Sequence, residues 1–155
     1  MDDGNSFYMN EAIQLSMLQD KGGPFGAVIV RNGVVVGWGR NEVLTTNDPT
    51  AHAEMVAIRG ACKALNTFKL EDCILFTSCE PCPMCLSACY WAGIKTIYYS
   101  CTRHDAASIG FDDEFIYDEV KKPIDKREIT MFSICRDEAI KAFESWNLNP
   151  NKMMY

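Results

Sequence analysis

Phe25-Gly26-Ala27-Val28-Ile29-Val30, then Arg31-Asn32-Gly33, then Val34-Val35-Val36-Gly37-Trp38 reads as two β-rich runs folded back on each other. Asn-Gly between apolar runs is the strongest short-range hairpin signal, because both turn positions need positive φ. Upstream, Met9, Ala12, Ile13, Ser16 and Met17 recur at helical spacing, and Gly22-Gly23-Pro24 stops that helix. Downstream, Asn47-Asp48-Pro49-Thr50 marks a helix start, with the helix running through Met55, Ile58 and Cys62 to about Leu65. Cys73–Thr77 is a third strand. A Cys/Pro-rich turn leads into a helix from about Pro83 to Ala92, which Gly93 ends. Thr96–Ser100 reads as a strand, Asp113–Val120 as a short helix, the region near Glu128–Ile134 as a fifth strand, and Arg136–Trp146 as a last helix. Helices alternating with strands in this order predict an α/β fold with a mixed five-stranded sheet and helices on both faces.

Composition bounds the function. The chain has 155 residues, which predicts one domain with one core. Lys and Arg number 15 against 21 Asp and Glu, a net charge of −6, and this argues against a protein whose affinity rests on phosphate neutralisation. Lys121, Lys122, Lys126 and Arg127 alternate with Glu119, Asp125 and Glu128, which describes a solvated face rather than a nucleic-acid track. Met1-Asp2-Asp3-Gly4-Asn5 is acidic where a signal peptide would be basic, and no apolar run is long enough to cross a bilayer. The expectation is a soluble, cytoplasmic protein without nucleic-acid or membrane partners. Its eight cysteines are then free for metal binding or for the core. Cys62, Cys73, Cys101 and Cys135 are read as small buried hydrophobes, and His104 as a solvated loop residue.

The chemistry concentrates in His52-Ala53-Glu54 and Pro81-Cys82-Pro83-Met84-Cys85, each opening a predicted helix. One His and two Cys are three zinc ligands of suitable softness, and three protein ligands leave a fourth tetrahedral position open, as a catalytic zinc requires. The positive ends of the two helices favour thiolate at Cys82 and Cys85. Glu54 is the residue that makes a metal site a catalyst, since deamination of an aromatic amidine carbon needs a group that carries protons from water to the leaving amine. H-x-E followed by P-C-x-x-C is the signature of zinc nucleobase deaminases, with the Glu not a ligand. Two structural readings compete: a Cys₄ zinc knot from Cys79, Cys82, Cys85 and Cys89, or a Cys82–Cys85 dithiol. Neither explains His-Ala-Glu at the head of the preceding helix.

These motifs resemble the cytidine deaminase superfamily. Gly22–Val30, Asn47–Glu54, Cys79–Cys85 and Gly110–Tyr117 resemble its guanine deaminase branch, and the similarity extends from about Gly22 to Tyr155. The resemblance implies a three-layer α/β/α sandwich, a Zn²⁺ cofactor and the conversion of guanine to xanthine and ammonia. By position, His52, Cys82 and Cys85 would hold zinc and Glu54 would shuttle protons. Phe25 would stack on the purine, Asn41 would hydrogen-bond it and Asp113 would read its polar edge. It further implies a single domain over residues 1–155 and a homodimer in which a segment of about 135–155 crosses to the partner, where Tyr155 closes the neighbour's pocket. Each substrate residue also has an ordinary structural reading: Phe25 as strand core, Asn41 as a turn residue, Asp113 as a helix cap, Tyr155 as surface packing. The nearest alternatives are a guanosine deaminase, then a tRNA adenosine or cytosine deaminase. A non-catalytic zinc-stabilised binding scaffold is the alternative from another class.

Overall fold

The computed structural model describes residues 4–155. Met1–Asp3, and with them most of the acidic opening read above, lie outside the described residues. The elements run α1 (Asn5–Ser16), β1 (Gly26–Arg31), β2 (Val34–Arg40), α2 (Val43–Thr46), α3 (Ala53–Leu65), β3 (Cys73–Cys79), α4 (Pro83–Ala92), β4 (Thr96–Cys101), α5 (Arg103–Ser108), α6 (Glu114–Lys121), a 3₁₀ turn (Ile124–Lys126) and α7 (Arg136–Leu148). They fall into two compact units, the first reaching Phe115 and the second spanning Ile116–Tyr155.

In the first unit the strands lie in the order β2-β1-β3-β4, antiparallel except for the parallel β3–β4 pair. The hairpin turns where expected, with Asn32 at φ 50° and Gly33 at φ 77°. The two central strands are buried on both faces, which is why each reads as an unbroken apolar run rather than an alternating one. Val28, Val30 and Phe76 pack with Ala12 of α1 on one face. Ala27, Ile29 and Leu75 pack with Ala53, Ala57, Ala61 and Cys89 on the other. The α/β/α layering therefore holds, as a mixed sheet with α1 on one side and α3 and α4 on the other.

Helix α3 approaches β2 closely at two positions of that strand, Gly37 and Gly39, which carry no side chain. A Cβ on Gly39 would stand 2.2 Å from the Ala53 carbonyl oxygen, and one on Gly37 2.4 Å from that of Ala57. Alanines at 53, 57 and 61, one turn apart, complete the close contact.

The structure corrects the sequence reading in several places. The sheet has four strands, not five. Residues 130–135 form no regular structure, since a strand exists only where an edge accepts its ladder bonds, and in the single chain none does. Helix α3 begins at Ala53, not near Asn47. There Asp48 Oδ1 accepts from the Thr50 N–H at 2.8 Å and its hydroxyl at 2.6 Å, so the expected cap closes a turn instead. His104 lies in α5, exposed beside Glu114, and not in a loop. Cys73 is buried and Cys62 half-buried, but Cys101 and Cys135 are exposed. In the C-terminal unit, α7 forms as predicted, yet no residue from Ile116 to Tyr155 is buried in the single chain.

Candidate active site

Two helices begin at one place. His52 is the extended N-cap residue of α3 and Cys82 that of α4, where Pro83 supplies a preset φ at the first helical position. Glu54 and Cys85 lie in the first turns of these helices. His52 Nδ1 lies 3.5 Å from Cys82 Sγ and 3.6 Å from Cys85 Sγ, and the three donor atoms sit within 4.8 Å of one another. Zinc bonds of about 2.0–2.1 Å to nitrogen and 2.3 Å to sulfur, set at the tetrahedral angle, give a nitrogen–sulfur edge of about 3.6 Å. The spacing and the donor chemistry fit zinc. Among the described residues no other group of His, Cys, Asp and Glu side chains converges in this way. Cys79 and Cys89 stay outside the cluster, and burial pushes each thiol up to about 12, so neither completes a Cys₄ knot.

Contact with the Cys85 thiol, and then with His52, draws the Cys82 thiol down despite its burial. Cys85, close to Cys82 and itself buried, moves up. His52 is raised by its bond to Cys82. Glu54 is buried, with Oε1 3.2 Å from the Thr77 hydroxyl and Oε2 accepting from Cys85 Sγ at 3.5 Å. Burial raises its carboxyl above the ordinary range, and the neighbouring Cys82 adds to the rise. A carboxyl moved toward neutrality beside a nucleophile-generating site is suited to take and return a proton.

Above this floor opens a cavity of about 460 Å³ whose lining includes Phe25, Asn41, His52, Glu54, Cys82 and Asp113. Phe25 precedes β1, and its carbonyl accepts from the Asn41 N–H at 3.1 Å. Asn41 is buried and serves the backbone as well, its Oδ1 accepting from the Val43 N–H at 3.2 Å. Asp113 does not cap α6: it is Asp112 whose Oδ1 accepts from the Glu114 N–H, at 3.1 Å. Asp113 Oδ1 is buried with no hydrogen-bond partner, and burial raises the pKa of this carboxyl. A buried acceptor left without a donor on a cavity wall is suited to a ligand N–H. Tyr155 belongs to the C-terminal unit and is 78% exposed.

Sequence reasoning missed a brace at the cavity wall. Glu80 Oε1 accepts from Arg103 Nε at 3.0 Å and Nη2 at 2.6 Å, while Oε2 accepts from the Arg103 backbone N–H at 2.9 Å. It ties the start of α5 to the turn that carries Cys82. Phe111 was legible only as part of the Gly110–Tyr117 string, and it too lines the cavity.

Residues 3–101 match the family described as the cytidine and deoxycytidylate deaminase zinc-binding region. The chain is 53% identical over 134 residues to the guanine deaminase of Bacillus subtilis, covering 86% of each protein. The crystal structure of a guanine deaminase from Bacillus subtilis superposes with a TM-score of 0.93 at 48% identity, over 97% of this chain and 98% of that one. A tRNA-specific adenosine deaminase of Aquifex aeolicus is 46% identical over 77 residues, 50% of this chain and 51% of its own.

Proposed function

Because this chain belongs to the cytidine and deoxycytidylate deaminase zinc-binding family, we propose that it is a zinc-dependent guanine deaminase, hydrolysing guanine to xanthine and ammonia. The observation that carries this reading is the buried Glu54 beside three ligand atoms at tetrahedral spacing, on the floor of a base-sized cavity. Zinc held by His52 Nδ1, Cys82 and Cys85 supplies Lewis acidity that makes water nucleophilic near neutral pH.

The chain's own residues handle protons and orientation. Glu54 takes a proton from the attacking water and passes it to guanine N3 as the C2–O bond forms. It then carries the second proton to the exocyclic amine, the C2–N bond breaks and ammonia leaves. Phe25 stacks on the purine face, Asn41 hydrogen-bonds the base, and Asp113 Oδ1 accepts from an N–H on its polar edge.

The chain acts in the cytoplasm as a homodimer, each deaminase domain of 155 residues completed by exchange of a segment of about 135–155, with Tyr155 over the partner's pocket. Two features support this arrangement. The C-terminal unit carries large apolar side chains and buries none of its residues, and β4 is an edge strand with five of its six residues exposed. Among the described residues no helix is long and apolar enough to cross a membrane.

The test is ammonia release by zinc-loaded protein supplied with guanine, guanosine, cytosine and adenine in parallel. Release from guanine with appearance of xanthine is expected. Release from guanosine alone would move the specificity to a nucleoside pocket, and silence on all four with stoichiometric zinc would revive the binding scaffold.

A further inference from the structure

We infer that Phe111 is a positioning residue for the base: it fixes the Phe25 ring edge-to-face at the cavity wall and so sets how tightly guanine is stacked. The inference rests on reading this cavity as a guanine site. The two rings stand with centroids 5.0 Å apart and planes at 89°, the arrangement in which the positive edge of one ring meets the negative face of the other. Both line the cavity that holds Glu54 and His52. A flat base lies parallel to only one of two perpendicular rings. Phe25 supplies that face, and Phe111 acts through Phe25.

Each ring is anchored through its backbone. Phe25 donates its N–H to the Gly23 carbonyl at 2.9 Å, and its own carbonyl accepts from Asn41. Phe111 donates its N–H to the Ala106 carbonyl at 3.0 Å, just after the chain turns at Gly110 with φ +99°. Backbone anchoring leaves the side-chain torsions of Phe25 to be settled by contact, and Phe111 makes it. Gly23 leaves the room both rings need: a Cβ there would stand 3.0 Å from Phe111 Cζ and 3.0 Å from Phe25 Cε2. Phe111 is 45% exposed, so a part in core stability does not explain a large aromatic at this place.

The experiment is steady-state kinetics on guanine with the zinc-loaded dimer, for wild type and for Phe111→Leu, Phe111→Tyr, Gly23→Ala, Phe25→Leu and the Phe25→Leu/Phe111→Leu pair. Phe111→Leu should raise KM roughly 2- to 10-fold, the scale of one edge-to-face contact, with kcat within about twofold, since stacking binds ground state and transition state alike. Phe111→Tyr adds an oxygen at Cζ, the atom that faces Gly23, and should raise KM by displacing the ring. Gly23→Ala should raise KM in the same way, by pressing on both rings without removing either. The double variant should bind no worse than Phe25→Leu alone, because Phe111 has nothing left to position. Zinc content and melting temperature should not change in Phe111→Leu. A wild-type KM in Phe111→Leu, or independent multiplication of the two Leu effects, overturns the inference while leaving the guanine reading intact. Wild-type protein that makes no xanthine from guanine overturns both.

Discussion

The sheet unit and the C-terminal unit place their large apolar residues in opposite ways. Ile29, Leu75 and Phe76 lie at the centre of the sheet with essentially no exposure, whereas Ile129, Phe132, Ile134 and Phe143 are each more than 70% exposed. Apolar content does not make the difference, since both regions have it. The first unit has strands to satisfy backbone groups on either side of each central strand, and glycines and alanines that let α3 come close. The second offers one longer helix, a short one and an extended segment that forms no regular structure. At roughly 40 residues it is near the size at which a chain needs a metal, disulfides or another copy of itself. The chemistry belongs to the first region, and the exposed apolar surface belongs to the second.

The largest effect tests whether the first unit holds the chemistry. Glu54→Gln should lower kcat by about 10²- to 10⁴-fold while metal analysis finds zinc unchanged and light scattering finds the same mass. Near-normal turnover would remove Glu54 from its role. Next, the core should answer truncation as the second unit does not. Leu75→Ala should cost about 2–5 kcal/mol in denaturant unfolding, whereas the cost of Leu148→Ala at the end of α7 should grow with protein concentration, since only a partner covers it; equal, concentration-independent costs would erase the contrast. Third, Phe132→Asp with Ile134→Asp should shift the mass in light scattering from two chains toward one at micromolar protein. Two-chain mass in that variant would mean the copies meet elsewhere.

A smaller loss is expected from Arg103→Ala, which removes the brace to Glu80: about 1 kcal/mol of stability, read as a fall of about 2–4 °C in melting temperature. The smallest effect is in pH. Thr102 holds the Asp105 carboxyl below its ordinary value through its backbone and side-chain bonds in the cap of α5. A carboxyl depressed in the folded state stabilises above the unfolded pKa and loses that contribution as pH falls through the folded one. The melting-temperature gap between wild type and Asp105→Ala should therefore be present at pH 7 and vanish on acidification below about 4.

What was legible in the sequence follows the range of the interactions. Helix α4 runs from Pro83 to Ala92 as read, because its start and stop are local: Pro83 at the first position and Gly93 at φ 77° after the last. The Asn32-Gly33 turn is local too. Local chemistry also misled. Asp48 has the side chain of a helix cap and uses it to close a turn, since the same carboxylate serves either geometry. The missing fifth strand fails for the opposite reason, because pairing is a property of two segments and one sequence run does not show its edge. Within the site, His52, Cys82, Cys85 and Glu54 were legible from short spacings, and the structure brings their side chains together. The Glu80–Arg103 brace and the Phe25–Phe111 corner join residues far apart in sequence and leave no periodic trace.

The glycine at position 39 of β2 has a consequence for metal retention. His52 stands at the very end of α3, one residue before the Ala53 whose carbonyl oxygen sits 2.2 Å from where a Gly39 side chain would begin. A methyl at 39 would press β2 and that end of the helix apart, where metal–ligand distances hold to within about 0.2 Å. A strand glycine that touches no ligand thus works as the depth gauge of the nitrogen donor, and random mutagenesis scored by zinc loss should return Gly39 alongside the ligands themselves.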